Sequence, residues 1–183
     1  MKKALSLLIG LVCLTQLALT RYYDVNQKPL ASSATSGVYS LECAEQAYSN
    51  DWNDSANVQN LVFNAENKTV RFKTEAEKVQ MMIPGKVSAL YQLAQAYVKS
   101  RSYDEITLMR MSVFLTTGNT AQKALCQSVL DFTDKVTKEG YFTRKAQAEA
   151  CTTIKALEAI SEDFSNFDTS DPKVTLIDVE NAQ

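Results

Sequence analysis

The chain contains no histidine. Without imidazole, Ser-His-Asp and Cys-His catalysis and histidine-ligated zinc have no basis in this sequence. Glycine and proline are scarce, with five and three among 183 residues. A sandwich of many short strands needs more turns than that, so the balance favours helices. No basic run of five or more residues occurs, and no glycine-rich phosphate loop. Nucleotide cradles and basic nucleic-acid stripes are therefore missing.

What is present suits one domain with an ordinary core, since 45% of residues are apolar and 22% charged. The first twenty residues read as an export signal. Lys2 and Lys3 give a positive start, Leu5 to Leu14 forms an apolar stretch, and Ala18 and Thr20 offer small residues for cleavage after Thr20. The rival reading is an uncleaved anchor over residues 4–20, at the lower limit for a bilayer helix and with Gln16 inside it. Cys13 follows Gly10, Leu11 and Val12, which does not fit lipoprotein processing. Either way the remainder is expected in the periplasm or secreted, touching membrane only through residues 4–20 if they are retained. Without residues 1–20 the chain keeps 21 acidic and 17 basic residues, a net charge of −4. Such a surface repels phosphate backbones, so no nucleic-acid partner is expected.

Three cysteines remain after the leader: Cys43, Cys126 and Cys151. An oxidising compartment favours pairing. Lys138-Glu139-Gly140 resembles the turn of a helical hairpin, with Cys126 13 residues before Glu139 and Cys151 11 after Gly140. Equal helical rise on both arms would bring the two sulfurs level, so a Cys126–Cys151 disulfide is expected. Cys43 is left over, as a buried thiol or as an alternative partner for one of the two. A catalytic thiol is disfavoured because no imidazole can activate it.

Residues 21–39 are polar and irregular and predict a flexible linker. Ser40 can cap a short helix to about Asn50. Leu61 and Phe63, then Val70 and Phe72, alternate around Ala65 to Lys68 and predict a β-hairpin over residues 60–73. Thr74 with Glu77 makes a capping box for a helix through Ile83, which Pro84 and Gly85 interrupt. Val87, Leu90, Tyr91, Ala94, Tyr97 and Val98 follow helical spacing. Ser102 with Glu105 makes a second capping box, opening an all-round apolar helix that ends before Gly118 and reads as the most buried. Asn119 caps the next helix, which Gly140 ends. A last helix runs from Thr143 to Phe164, and residues 167–183 form a polar tail in which Val174, Leu176 and Val179 make an edge strand or stay disordered.

Residues 89–106 resemble one tetratricopeptide helix pair. Leu90, Leu93, Ala94, Tyr97, Tyr103 and Ile106 sit near that family's packing positions, whereas Arg110 stands where an aromatic is wanted and no proline closes the unit. The faint echo at Lys138 to Tyr141 comes 38 residues later. The resemblance implies an antiparallel helix pair with a tight turn. Glu42 and Asp51 form the one carboxylate pair worth weighing for glycan hydrolysis, since a helix followed by a loop and hairpin carries such pairs in some lysozymes. Asn57 stands where a threonine is expected, and the glycine-rich sugar loops are missing. Asn53-Asp54-Ser55 and Asn67-Lys68-Thr69 fit the N-glycosylation pattern. Met81, Met82, Met109 and Met111 suit core filling or an adaptable surface.

The expected fold is mainly α: a bundle or stacked hairpins of five to six helices over residues 40–166, with one small β-hairpin. The expected function is an exported, non-enzymatic protein-binding module of the cell envelope, of inhibitor, immunity, exclusion or assembly-accessory type. The alternatives are a carboxylate-dependent cell-wall glycan hydrolase and a membrane-anchored structural protein. No cofactor or metal is called for, and the partner expected is another protein of the envelope or extracellular space.

Overall fold

The alternating apolar residues Leu61, Phe63, Val70 and Phe72 become the hairpin of a larger sheet. A computed structural model describes residues 18–30, 39–44 and 55–183, which fall into two units, Met1–Lys73 and Thr74–Gln183. In the first unit the strands are β1 (Ala18–Tyr23), β2 (Pro29–Leu30), β3 (Tyr39–Ala44), β4 (Leu61–Asn64) and β5 (Thr69–Phe72). Their order is β2-β1-β3-β5-β4, with β3 parallel to β5 and the other pairs antiparallel. The β4–β5 hairpin matches its sequence pattern: Leu61 pairs with Phe72 and Phe63 with Val70. Asn64 closes the turn by accepting from the backbone of Glu66 and Asn67, and Lys68 takes a left-handed φ of 57°. Tyr23, Tyr39, Leu61 and Val70 form the buried cluster of this unit, with the Phe63 ring edge-on to both tyrosines.

Three expectations change here. Residues 21–23, 29–30 and 39, read as linker, lie in strands, and Ala18 to Thr20, assigned to the leader, belong to β1. The helix expected from Ser40 is strand β3 instead, and its continuation to Asn50 lies outside the described residues. A short amphipathic pattern yields to the six-pair ladder with β1, from Ala18↔Ala44 to Tyr23↔Tyr39. The leader segment Leu5–Leu14 also lies outside the described residues.

The second unit is helical: α1 (Glu75–Ser100), α2 (Glu105–Thr117), α3 (Thr120–Lys135), α4 (Thr143–Glu149), α5 (Ile154–Glu158) and α6 (Leu176–Asn181). The Thr74–Glu77 capping box opens α1 and Asn119 caps α3 as their sequences predict, with Gln122 completing a box at the second site. Pro84 does not end α1, which runs on through it. Val79, Ile83 and Leu90 form one buried stripe against Ala148, Leu157 and Ile160, with Val87 packed beside it, and this shared face outweighs the missing proline N–H. Nor does Gly140 end a helix. Val136–Phe142 is a π-helical segment continuous with α3 and α4. A β-carbon at Gly140 would lie 2.8 Å from the Phe164 ring and 3.1 Å from that of Phe167, so the glycine serves close approach rather than a turn.

The expected helix from Thr143 to Phe164 is broken after Glu149. Thr153 caps α5 by accepting from Ala156 N, and Glu75 accepts from Ile154 N at 3.1 Å. The polar tail is structured as well. A 3₁₀ turn (Ser165–Ser170) leads to α6, and Phe167, Val174 and Val179 are buried with Phe132 and Val136 of the helical core. Helix α2, read as the most buried, buries only Met111 fully and leaves Ile106, Met109 and Val113 more than half exposed. One of its faces packs on α3 and α6, while the longer stripes of α1 and α3 carry the core. Among the described residues no helix is long and apolar enough to cross a membrane.

Candidate functional site

The helical unit carries a groove of about 790 Å³. That volume lies within the range of small-ligand sites. One wall is a single face of α1 over about two turns, where Tyr91, Ala94, Gln95, Val98 and Lys99 recur at helical spacing. Ala94 is buried and Tyr91 exposed, so the wall grades from core to rim. Gln95 donates to the Tyr91 hydroxyl at 2.6 Å and holds that ring.

The opposite wall comes from the end of α3 and the π-helical segment, through Thr133, Asp134, Thr137 and Tyr141. Val136 and Gly140 are buried, while Thr137 and Tyr141 line the groove. The wider π turn thus sets core and groove residues on two faces of one short segment, an arrangement that recurs at functional positions in helices. Tyr141 packs against both apolar clusters of the unit, with its ring 5.3 Å from that of Tyr91.

The turn from α1 to α2 closes one end. Ser102 takes a left-handed φ of 68°, its N–H donates to Lys99 O, and Tyr103 N donates to Val98 O. Those two bonds make a Schellman motif with serine where glycine is usual. Consequently Asp104, not Ser102, caps α2, accepting from Thr107 N at 2.8 Å. That backbone N–H draws the Asp104 carboxyl below its ordinary range. Beyond it Glu105, Ile106 and Leu108 complete the lining. The tight turn implied over residues 89–106 is present at 101–104, but the packed antiparallel pair is not: α2 packs on α3 and α6 and makes few close contacts with α1.

The C-terminal segment, whose Phe167, Val174 and Val179 are buried in the core, is also tied to the same helices by polar contacts. Lys86 reaches Ile160 O and Glu162, Tyr97 and Arg101 both bind Asp168, Tyr103 donates to Asp171, and Arg110 pairs with Glu180. Burial, reinforced by the hydrogen bond to Asp168, pushes the Tyr97 phenol up to about 12. Burial likewise raises Tyr103.

The sequence-derived candidates are not brought together. Cys126 and Cys151 are free thiols, one in each apolar cluster. The hairpin that would have aligned them is absent: the chain is helical without a turn from Thr120 to Glu149. Twenty-five residues of near-continuous helix separate the sulfurs by roughly 35 Å, against a disulfide limit of about 7 Å between α-carbons. Burial raises the Cys126 thiol, which makes it inert, and the Cys151 thiol donates to Gln147 O at 3.2 Å. Glu42 stands on β3 opposite Thr20, and Asp51 lies outside the described residues. Met111 is core, whereas Met81, Met82 and Met109 are exposed. Asn67 occupies the exposed hairpin turn, and Asn53 and Asp54 lie outside the described residues.

Among the described residues no group of three or more Cys, Asp and Glu is placed to hold a metal ion. Sequence reasoning put Tyr91 on the core face and missed the groove. The signal lay in Gln95 and Lys99, polar residues one and two turns beyond Tyr91 that mark the edge of the apolar stripe. No protein-family model matches this chain, and neither a curated protein nor a solved structure matches it.

Proposed function

We propose that the chain is an exported, non-enzymatic module of the cell envelope that binds a segment of another protein. The observation that carries this reading is the groove of about 790 Å³, where Ala94, Val98 and Leu108 lie beside the polar Gln95, Lys99, Asp104, Glu105 and Asp134. Apolar surface with a few placed polar groups is the composition of a recognition site. Its walls are helices pinned by capping and core packing, so a partner meets a preformed surface and little ordering cost opposes binding. The greasy Leu5–Leu14 stretch behind two lysines supplies the argument for export.

The test is site-specific photo-crosslinking in the native host, with a benzophenone side chain replacing Gln95 and, as control, Lys155, which does not line the groove. The expected result is one reproducible protein adduct from position 95 in the envelope fraction, lost when Tyr91→Ala is added. Adducts of equal yield from both positions, or an unprocessed chain recovered only from cytosol, would overturn the proposal.

A further inference from the structure

We infer that the groove and the outer stripe of α2 together receive a basic amphipathic helix of the partner protein, an assignment that rests on the binding-module reading above. Two independent features converge on it. Ile106, Met109 and Val113 stand at i, i+3 and i+7 on α2 and are 66%, 63% and 54% exposed. A second helix covers such a stripe with its own apolar face, because the spacing repeats along both axes. Ile106 also lines the groove, so the stripe and the concavity are one surface.

The second feature is charge. The groove lining carries three carboxylates, Asp104, Glu105 and Asp134, against a single ammonium, Lys99. Asp104 is held ionised by its bond to the α2 backbone. Asp134 meets the exposed Lys138 at 2.7 Å, a pair that surface water screens. Tyr91 and Tyr141 add two aromatic rings within the same lining, and ring faces attract ammonium and guanidinium groups. The wall from Tyr91 to Lys99 is about 12 Å long, which accommodates about two helical turns. A helix carrying leucines on one side and lysines or arginines beside them satisfies both features, whereas an acidic one meets repulsion.

The test uses the full exported chain and three fluorescent peptides of about 18 residues, long enough to form a helix. One is an amphipathic leucine–lysine helix, one carries glutamate in place of lysine, and one scrambles the first. Fluorescence anisotropy is expected to show binding of the leucine–lysine helix, with the other two at least about tenfold weaker. The double reversal Glu105→Lys with Asp134→Lys should weaken it by about tenfold and strengthen the glutamate peptide, while Lys155→Glu leaves it unchanged. Circular dichroism of each variant establishes that it folds. Equal affinity for both charges, indifference to the groove variants, or no binding of the leucine–lysine helix would each overturn the assignment. If the peptides fail while position 95 still crosslinks in cells, the helix assignment falls alone. If both fail, the binding reading falls with it.

Discussion

The Tyr97 hydroxyl donates to Asp168 at 2.6 Å, joining α1 to a residue 71 positions further along the chain. Arg101, one turn beyond Tyr97, binds the same carboxylate oxygen, and its guanidinium lies 4.9 Å from the centre of the Tyr97 ring. The pairing holds the C-terminal segment on the helices that build the groove.

This junction responds to pH from both sides. The Tyr97 hydroxyl and then the Arg101 guanidinium hold the Asp168 carboxyl below its usual range, and Asp163, Asp104 and Asp178 are lowered by the N–H and hydroxyl groups that bond them. A depressed carboxyl stabilises the fold above its unfolded pKa of about 4 and loses that contribution as pH falls through the lower folded value. Tyr97 is raised, so its contribution is complete below an unfolded pKa of about 10 and is lost as pH climbs towards about 12. Urea midpoints across the pH range should therefore fall at both extremes. Asp168→Asn should flatten the acid limb and Tyr97→Phe the alkaline limb. An acid limb unchanged in Asp168→Asn would refute the assignment.

Ser102 pays for its left-handed φ of 68° with a β-carbon clash that glycine avoids. Ser102→Gly keeps both Schellman hydrogen bonds and removes the clash, at some cost in unfolded-chain entropy. The expected gain is about 0.5–1 kcal/mol, read as a higher urea midpoint at unchanged slope. A lower midpoint would show that the serine side chain itself is needed.

Local chemistry made part of this fold legible. The Thr74 capping box, the Asn119 cap and the Leu61–Phe72 alternation are short-range signals, and the structure keeps all three. A Thr175–Asp178 box opens α6 where an edge strand or disorder was expected. What resisted reading depends on distant partners. Pro84 and Gly140 are breakers by local rules, yet the stripe against Leu157 and Ile160 carries the helix past one, and the Phe164 and Phe167 rings occupy the space beside the other. The strands β1 and β3 needed each other's backbone to exist. The groove was hidden because its Tyr91 obeys the same helical period as the buried Leu90 and Ala94.

Proline inside α1 removes the N–H that would bond Gln80 O and crowds that carbonyl. Pro84 and the neighbouring Gly85 are both exposed, and a β-carbon at Gly85 meets nothing within 4 Å. Pro84→Ala should therefore raise stability by up to about 3 kcal/mol, and Gly85→Ala by about 0.5–1 kcal/mol. Thermal melts monitored by circular dichroism give the comparison. No gain for Pro84→Ala would mean that a bend at this point is required by the packing of Val79 and Ile83 on Leu157.

Gly140 offers the opposite case, because there the missing side chain is what the packing uses. A methyl group would sit 2.8 Å from Phe164 Cε1 and 3.1 Å from Phe167 Cε2, both on buried rings with little room to retreat. Overpacking of this kind costs about 1–3 kcal/mol, so Gly140→Ala should lower the melting temperature. The strain has a second readout, since Gly140 shares the π-helical segment with the groove residue Tyr141. Adding Phe164→Leu to Gly140→Ala removes the nearer of the two rings that the methyl meets. The double variant should then lose less stability than the two single losses combined, the mark of residues in contact. Strict additivity would place the origin of the strain elsewhere in the segment.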